Sequence, residues 1–369
     1  MRIAENQILY RNPSTGAIEF KELTEKLPYQ RYVRNEAEEL TLKEFASDAQ
    51  LALLRIADPV STALVQGYMP QTELIGDQIF TPVKMAKESG KFPAFGDEAF
   101  VIPTNLKREV GGKVARILTQ SGSISMSLSE YALGTSIENR ERNEWAGSPE
   151  SLINMKLNTV ASKIALLREK NQAVLATTNG SYLSGLSTSG ASKAWASTGD
   201  AVKDMLDLIE LVQSYNGVRP NTVWFSPAAW ALWRRNTSVL DLLKYQGTPI
   251  APAQVTKQGT AALLEVSKCL VGYAVHGTGG KGGEGGKGKA ALTKAFLWDS
   301  VQSSNAGCAI VGTGGGIEPA FGYTYERLNS PIVESYYENS TKSQVWDYEH
   351  FFDAAVTKTN AGGQYYSLA

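Results

Sequence analysis

Histidine and cysteine are almost missing from this chain, with two of each in 369 residues. Cys269 and Cys308 form no C-x-x-C pair and are too few for a disulfide framework, so a reducing compartment is the simplest setting and each reads as a small buried apolar group. His276 and His350 fall in neither an H-x-x-x-H nor an H-E-x-x-H spacing, which leaves both as structural histidines and predicts no metal site. Charge of one sign is also lacking: 36 Lys and Arg stand against 37 Asp and Glu, and charged residues make up 20% of the chain, below the usual ~25%. A strongly basic nucleic-acid binder is therefore disfavoured, and with 43% apolar residues so is wholesale disorder. Long hydrophobic runs are missing as well. The longest uncharged stretch, Asn171 to Ser192, is dominated by Ser, Thr, Gly and Asn, whose polar groups would go unsatisfied in hydrocarbon. Met1 to Gln7 has no apolar core, so no secretory signal and no membrane partner are expected.

What is present is organised in blocks. A chain of this length predicts two or three lobes, and its low charge suits a surface partly consumed by contacts. The first sixty residues read as an arm: a polar lead from Arg11 to Gly16, a charged run from Arg31 to Glu44, and a helix expected over Glu36 to Ile56. Its Leu40, Phe45, Leu51, Leu53 and Leu54 are too few in register to make a core, so the arm needs a neighbour. Lys84 to Glu130 reads as a long hairpin, with Gly111-Gly112 available for a turn. Its clearest part is Ser123 to Ser129, where strict alternation places Ile124, Met126 and Leu128 on one face and four serines on the other. Lys107, Arg108, Lys113 and Arg116 gather positive charge on this projection, which is expensive to hold unless something binds it. These seven residues, from Lys107 to Leu128, are the expected contacts between subunits; a short basic patch on a neutral protein suits intersubunit ion pairs better than nucleic acid.

Next comes the strongest helical signal. Ser148 is placed to cap, Pro149 to open the first turn, and Ile153, Leu157, Val160, Ile164, Leu167 and Val174 follow at 3–4 spacing with one polar interruption at Asn171. Carried to about Thr177 the helix would be roughly 40 Å long. Beyond Trp195 the pattern turns to compact α/β: a helix from Asp200 to Tyr215 closed by Asn216-Gly217, a strand at Val223 to Phe225, a Ser226-Pro227 helix start, helices at Val239 to Lys244 and Thr260 to Val266, and strands at Cys269 to Val275 and Cys308 to Val311. The tail is β-rich, through Ala320 to Arg327, Ile332 to Tyr337 and Val345 to Val356. The class is α+β.

Candidate chemistry is thin. Gly277 to Gly288 holds eight glycines in twelve residues and a formal G-x-G-x-x-G at Gly277, Gly279 and Gly282. In so dense a run that match arises almost automatically, and the near P-loop from Gly283 to Lys289 has Ala290 where the magnesium-binding hydroxyl belongs. A surface loop is the stronger reading. Gly185 to Gly190 misses the G-x-S-x-G elbow by one residue, and no carboxylate pair stands out. No catalytic or cofactor residue is assigned, no cofactor is expected, and the chain is expected not to be an enzyme.

The assembled pattern resembles the tailed-bacteriophage major capsid proteins of the Hong Kong 97 fold. The most specific local likeness is Gly217-Val218-Arg219-Pro220-Asn221-Thr222 running into Val223 to Trp230, supported by Phe321 to Glu326, Glu141-Arg142-Asn143 and Asp353-Ala354-Ala355. The resemblance covers roughly residue 60 to the end and implies an N-terminal arm (1–60), a first peripheral segment (61–83), an extended loop (84–130), a peripheral domain with a spine helix (131–199), an axial α/β domain (200–319) and peripheral return strands (320–369). It further implies hexamers and pentamers closing into an icosahedral shell around double-stranded DNA bound without sequence specificity, with a portal protein as partner, location in the virion, and assembly in the bacterial host cytoplasm. The first 150 residues are taken up by arm and hairpin, so a separate scaffolding protein is expected rather than a fused one; a decoration protein is a further partner the resemblance allows. Two rival readings stay open: an encapsulin-like cargo shell, and a phosphate-binding α/β enzyme using the glycine loop.

Overall fold

The computed structural model describes residues 7–11, 18–22, 32–34, 40–42, 56–57, 59–66, 74–95, 102, 107, 121–193, 195–196, 199–244, 255–278, 293–301, 307–314 and 320–368. The chain divides into two units, Met1–Ile56 and Ala57–Ala369. In the first, β1 (Gln7–Arg11) pairs antiparallel with β2 (Ile18–Glu22), and β3 (Tyr32–Arg34) with β4 (Leu40–Leu42). The helix expected over Glu36 to Ile56 is corrected at both places that can be read: Leu40–Leu42 is strand, and Ile56 opens the two-residue strand β5 (Ile56–Ala57). The apolar residues there never had a 3.6-residue period, and Leu-Thr-Leu alternates as a strand does. The remainder of that stretch lies outside the described residues.

The second unit begins with helix α1 (Pro59–Gln66) and the single turn α2 (Gly76–Ile79), followed by β6 (Thr81–Met85). The expected hairpin is present where it can be seen: β7 (Ser89–Phe95) and β8 (Ser121–Ser127) pair antiparallel in the register Ser89↔Ser127 to Phe95↔Ser121. After β9 (Ser129–Glu138) and the short helix α3 (Asn139–Glu144) comes α4 (Pro149–Thr177), 29 residues and about 43 Å long. Its start is the one expected: Ser148 is extended, and its hydroxyl accepts from the Ser151 amide at 3.3 Å.

The α/β part runs through β10 (Ser187–Ser189), α5 (Ala201–Asn216), β11 (Thr222–Phe225), α6 (Pro227–Arg235), α7 (Thr237–Lys244), α8 (Lys257–Leu263), β12 (Lys268–Val271), β13 (Val275–Thr278), β14 (Thr293–Phe296), α9 (Leu297–Ser300) and β15 (Ala309–Gly312). Gly217 closes α5 at φ 75°, a left-handed cap that any residue with a Cβ would strain. The strand expected over Cys269 to Val275 is two strands. Val271 ends the first, and the Ala274 carbonyl turns away to accept from the Leu297 amide. The tail supplies β16 (Gly322–Arg327), β17 (Ile332–Glu338), β18 (Ser343–Val356) and β19 (Gly362–Tyr366).

Two main sheets result. One has the order β10-β19-β15-β11-β12, with β11 parallel to β12, β10 parallel to β19, and β15 antiparallel to both its neighbours. The other is built on β18, which carries β9 along one edge and β17 then β16 along the opposite edge; β6 runs parallel to β16. The tail therefore does not return to one place. Residues 322–356 go to the β18 sheet, but β19 inserts between β10 and β15 in the other, a departure from the expectation that all of 320–369 forms peripheral return strands. Gly362 and Gly363 are buried in β19, and Val212 of α5 packs directly over Gly363.

Each sheet has its own core. The five-stranded sheet buries Trp195, Trp224, Trp233, Trp298, Phe225 and Phe321, all at 2% exposure or less. The β18 sheet packs Val333, Trp346, Tyr348 and Phe352 against Leu152, Leu157, Val160 and Ile164 of α4. The far end of α4 contributes Ala173 and Ala176 to the first core. One helix thus serves both cores. A small third cluster, Met85, Met126 and Tyr325, sits at the base of the β7–β8 hairpin.

Candidate functional site

The glycine-rich segment lies between two paired strands. β13 and β14 pair antiparallel from Val275↔Phe296 to Thr278↔Thr293, so the next described element after the glycines is the strand that pairs with β13. Phosphate loops of either kind need a helix N-terminus there to present its amides and its positive dipole end. Gly277 itself lies within β13; Gly279 to Gly288 lie outside the described residues. The thiols of Cys269 and Cys308 are both buried, and burial pushes each up to about 12, with the Asp299 carboxylate adding to the effect at Cys308. Among the described residues, no group of three or more His, Cys, Asp or Glu could hold a metal ion, and no helix is long and apolar enough to cross a membrane.

The expected contact residues fall into three groups. Lys107 is exposed, while Arg108, Lys113 and Arg116 lie outside the described residues. Ile124 is in β8, opposite Phe92. Met126 is already buried against Met85 and Tyr325, with Leu128 half-buried beside them. The alternation read from the sequence is real, with Ser125, Ser127 and Ser129 exposed, but its apolar side is used within the chain at this end.

Where α4 passes from one core to the other, its inward positions are polar. Glu169 is 1% exposed, and its carboxylate accepts from the Gly76 amide (2.8 Å), the Ile75 amide (3.1 Å) and Trp298 Nε1 (2.8 Å). Gln172 Nε2 donates to Asp77 Oδ1 and Thr324 Oγ1, both at 2.8 Å. Arg168 pairs with Asp77 at 2.8 Å and with Glu326, and Lys84 reaches the other oxygen of Glu326 at 2.5 Å. Gly76 makes this possible: a Cβ there would lie on the Gln172 amide and 2.6 Å from Glu169 Oε2. A pocket of about 180 Å³ opens beside the network, lined by Asp77, Arg168, Gln172, Tyr348 and His350 among others.

Electrostatics follow from these contacts. Burial raises Glu169 above the usual carboxylate range, although the Trp298 and backbone hydrogen bonds work against it. Burial pulls Glu326 upward too, but Arg168 and Lys84 outweigh it and the group ends below its ordinary value. Burial lowers His350 to about 4, against the pull of Glu326. This constellation joins α4, the Ile75–Asp77 turn, β16, β18 and α9, and has the character of a structural brace: among the described residues Arg168, Asp77, Glu326 and Lys84 pair with one another, and Glu169 is held by three hydrogen bonds.

Sequence reasoning missed Glu169 and Gln172. Counting apolar positions along α4 places Leu167 and Val174 on the buried stripe, but both are half-buried, and Glu169, Gln172 and Thr177 take the inward places. The partners of Glu169 and Gln172 lie 93 to 152 residues away, beyond any local pattern.

No family model matches the chain. It is 29% identical over 294 residues to the major capsid protein of Burkholderia phage BcepMu, an alignment covering 79% of this chain and 90% of that protein. Among solved structures, it superposes on a phage-related protein from Bordetella bronchiseptica RB50 with a TM-score of 0.65 at 25% identity, covering 85% of this chain and 98% of that one. It also shares the fold of the capsid subunit of cyanophage P-SCSP1u, with a TM-score of 0.53 at 12% identity over 81% of this chain and 89% of the other. The chain is therefore similar in sequence to a phage major capsid protein over nearly all of that protein's length, and its mixed helix-and-sheet fold, with two cores joined along one long helix, is the Hong Kong 97 fold of phage capsid subunits.

Proposed function

We propose that copies of this chain form hexamers and pentamers that close into an icosahedral head enclosing double-stranded DNA. The observation that carries the reading is the likeness to the BcepMu major capsid protein over 90% of its length. In this reading the β18 sheet and α4 form the peripheral domain, and the five-stranded sheet with its helices forms the axial domain. The axial domain then takes in β10 and β19 as well as residues 200–319. Residues 1–60 act as an arm and 84–130 as an extended loop, both completed by neighbouring subunits. The shell function needs no catalytic group, so the chain works as a structural protein rather than an enzyme.

A formal charge of -1 suits a container, because strong phosphate neutralisation along the whole duplex would hold the genome to the wall. Each contact can be weak, since several act together on every subunit. Assembly takes place in the host cytoplasm, with a portal protein at one vertex and a separate scaffolding protein as guide; a decoration protein is a further candidate partner. Nuclease digestion of particles purified from infected or induced cells tests the reading. Double-stranded DNA protected inside the shell is the expected result. Shells that contain only protein cargo would instead favour the encapsulin-like alternative.

A further inference from the structure

The β13–β14 hairpin, a two-stranded sheet of its own, comes after β12 in the chain, and its pleat sorts side chains onto two faces. Val275 stands opposite Phe296 and Gly277 opposite Lys294. Residues directly across an antiparallel ladder point the same way, so Val275, Phe296 and Lys294 share a face. His276 is on the other side, with Nε2 2.5 Å from Ser300 Oγ. The first face is open: Phe296 is 44% exposed, Val275 37%, and Tyr273, edge-on to Phe296 with ring centres 6.5 Å apart, 39%. Lys294 is exposed, and Lys257 Nζ stands 5.5 Å from the centre of the Tyr273 ring. An aromatic surface with a positive rim results.

Helix α5 packs on β19 and β15 of the five-stranded sheet. Its outer stripe at i, i+4 spacing is Asp207, Leu211 and Tyr215, with Glu210 beside it. Leu211 is 39% and Tyr215 47% exposed. Lys203 answers Asp207 at 3.3 Å, so the balance of the stripe is acidic.

We propose that the Tyr273–Val275–Phe296 face of one copy docks on the Leu211–Tyr215 stripe of helix α5 in the next copy, with Lys294 facing Glu210. The proposal rests on the assembly reading above and names a surface for it. A second copy is the occupant because the two faces are opposite in charge, both centre on exposed apolar and aromatic side chains, and lie on different elements of one lobe. That arrangement is what a head-to-tail contact needs, and such a contact repeated through a closing rotation makes a ring. An aromatic centre with a charged rim is also where interfaces concentrate their binding energy.

The test compares the full chain with Phe296→Asp, Lys294→Glu, Glu210→Lys and the Lys294→Glu/Glu210→Lys double variant, using sedimentation velocity for the assembled fraction and circular dichroism for the fold. All three positions are exposed, so spectra matching the parent are expected. Each single variant should lower the assembled fraction at least about tenfold, and the charge-reversed double should regain most of it. Singles that assemble like the parent overturn the docking while leaving the capsid reading in place. A double no better than its singles overturns the Lys294–Glu210 pairing. A parent chain that stays monomeric overturns both readings.

Discussion

The five-stranded lobe and the β7–β8 hairpin solve the problem of burial in opposite ways. The lobe surrounds four nearly inaccessible tryptophans with its own helices and with strands drawn from residues 187 to 366. The hairpin has one small cluster at its base, Met85, Met126 and Tyr325, from which two strands extend. A two-stranded ribbon has too little interior to hold its shape alone. The contrast is between a lobe that buries its apolar groups by its own folding and a projection whose described strands bury little beyond the cluster at their base; on the shell proposal, neighbouring subunits supply the rest. A shell subunit has reason to be built that way.

Substitutions should reveal the contrast in order of size. Phe321→Ala removes a ring that touches Phe80, Tyr182 and Trp224 in the first core; a loss of about 3–5 kcal/mol is expected in denaturant unfolding of the dissociated subunit. Acid comes next. His350 is held neutral with its pKa at about 4 against 6.5 in the unfolded chain, so between those values the unfolded state binds the extra proton. Stability is full above about 6.5 and falls as pH drops towards 4, by roughly 3 kcal/mol at 1.36 kcal/mol per unit. Arg168, Lys84, Glu326 and Tyr348 act on this imidazole. Glu326, lowered in the fold, loses its own contribution only as pH falls below its ordinary range, while the raised Glu169 works the other way. Glu169 titrates in both proteins and Glu326 is coupled to His350 itself, so the difference in pH slope between the parent and His350→Gln reports the histidine together with that coupling; equal slopes would refute the assignment.

The hairpin should respond more weakly. Met126→Ala is expected to cost the free subunit about 2 kcal/mol, at the low end for a buried methionine because its cluster is small and at the surface. The same change should lower assembly more than Phe321→Ala does once both are corrected for subunit stability, and the reverse ranking would break the comparison. The smallest effect belongs to Ser148→Ala, about 1 kcal/mol from a lost cap at the exposed start of α4, readable as a small shift in Tm.

The parts legible in the sequence were those whose causes are local. Ser148-Pro149, Ser226-Pro227 and Asn216-Gly217 announce helix ends through the hydrogen bonds and backbone angles those residues favour, and all three lie where expected. The alternation at Ser123 to Ser129 likewise gave a strand and its faces. The misses were non-local. Gly362 to Tyr366 carries no strong strand pattern and becomes β19 because a slot lies open between β10 and β15. Glu169 and Gln172 look like a solvated face until the Ile75–Asp77 turn, Trp298 and Thr324 arrive from distant parts of the chain. The formal glycine motif is the reverse case: its local letters match, but the next described element is a strand paired with β13 and not the helix such letters need.

Electron microscopy of the purified full-length protein tests the central claim most directly. Closed shells of uniform size with rings of five and six subunits are the predicted result; a protein that stays monomeric and well folded at high concentration would contradict it.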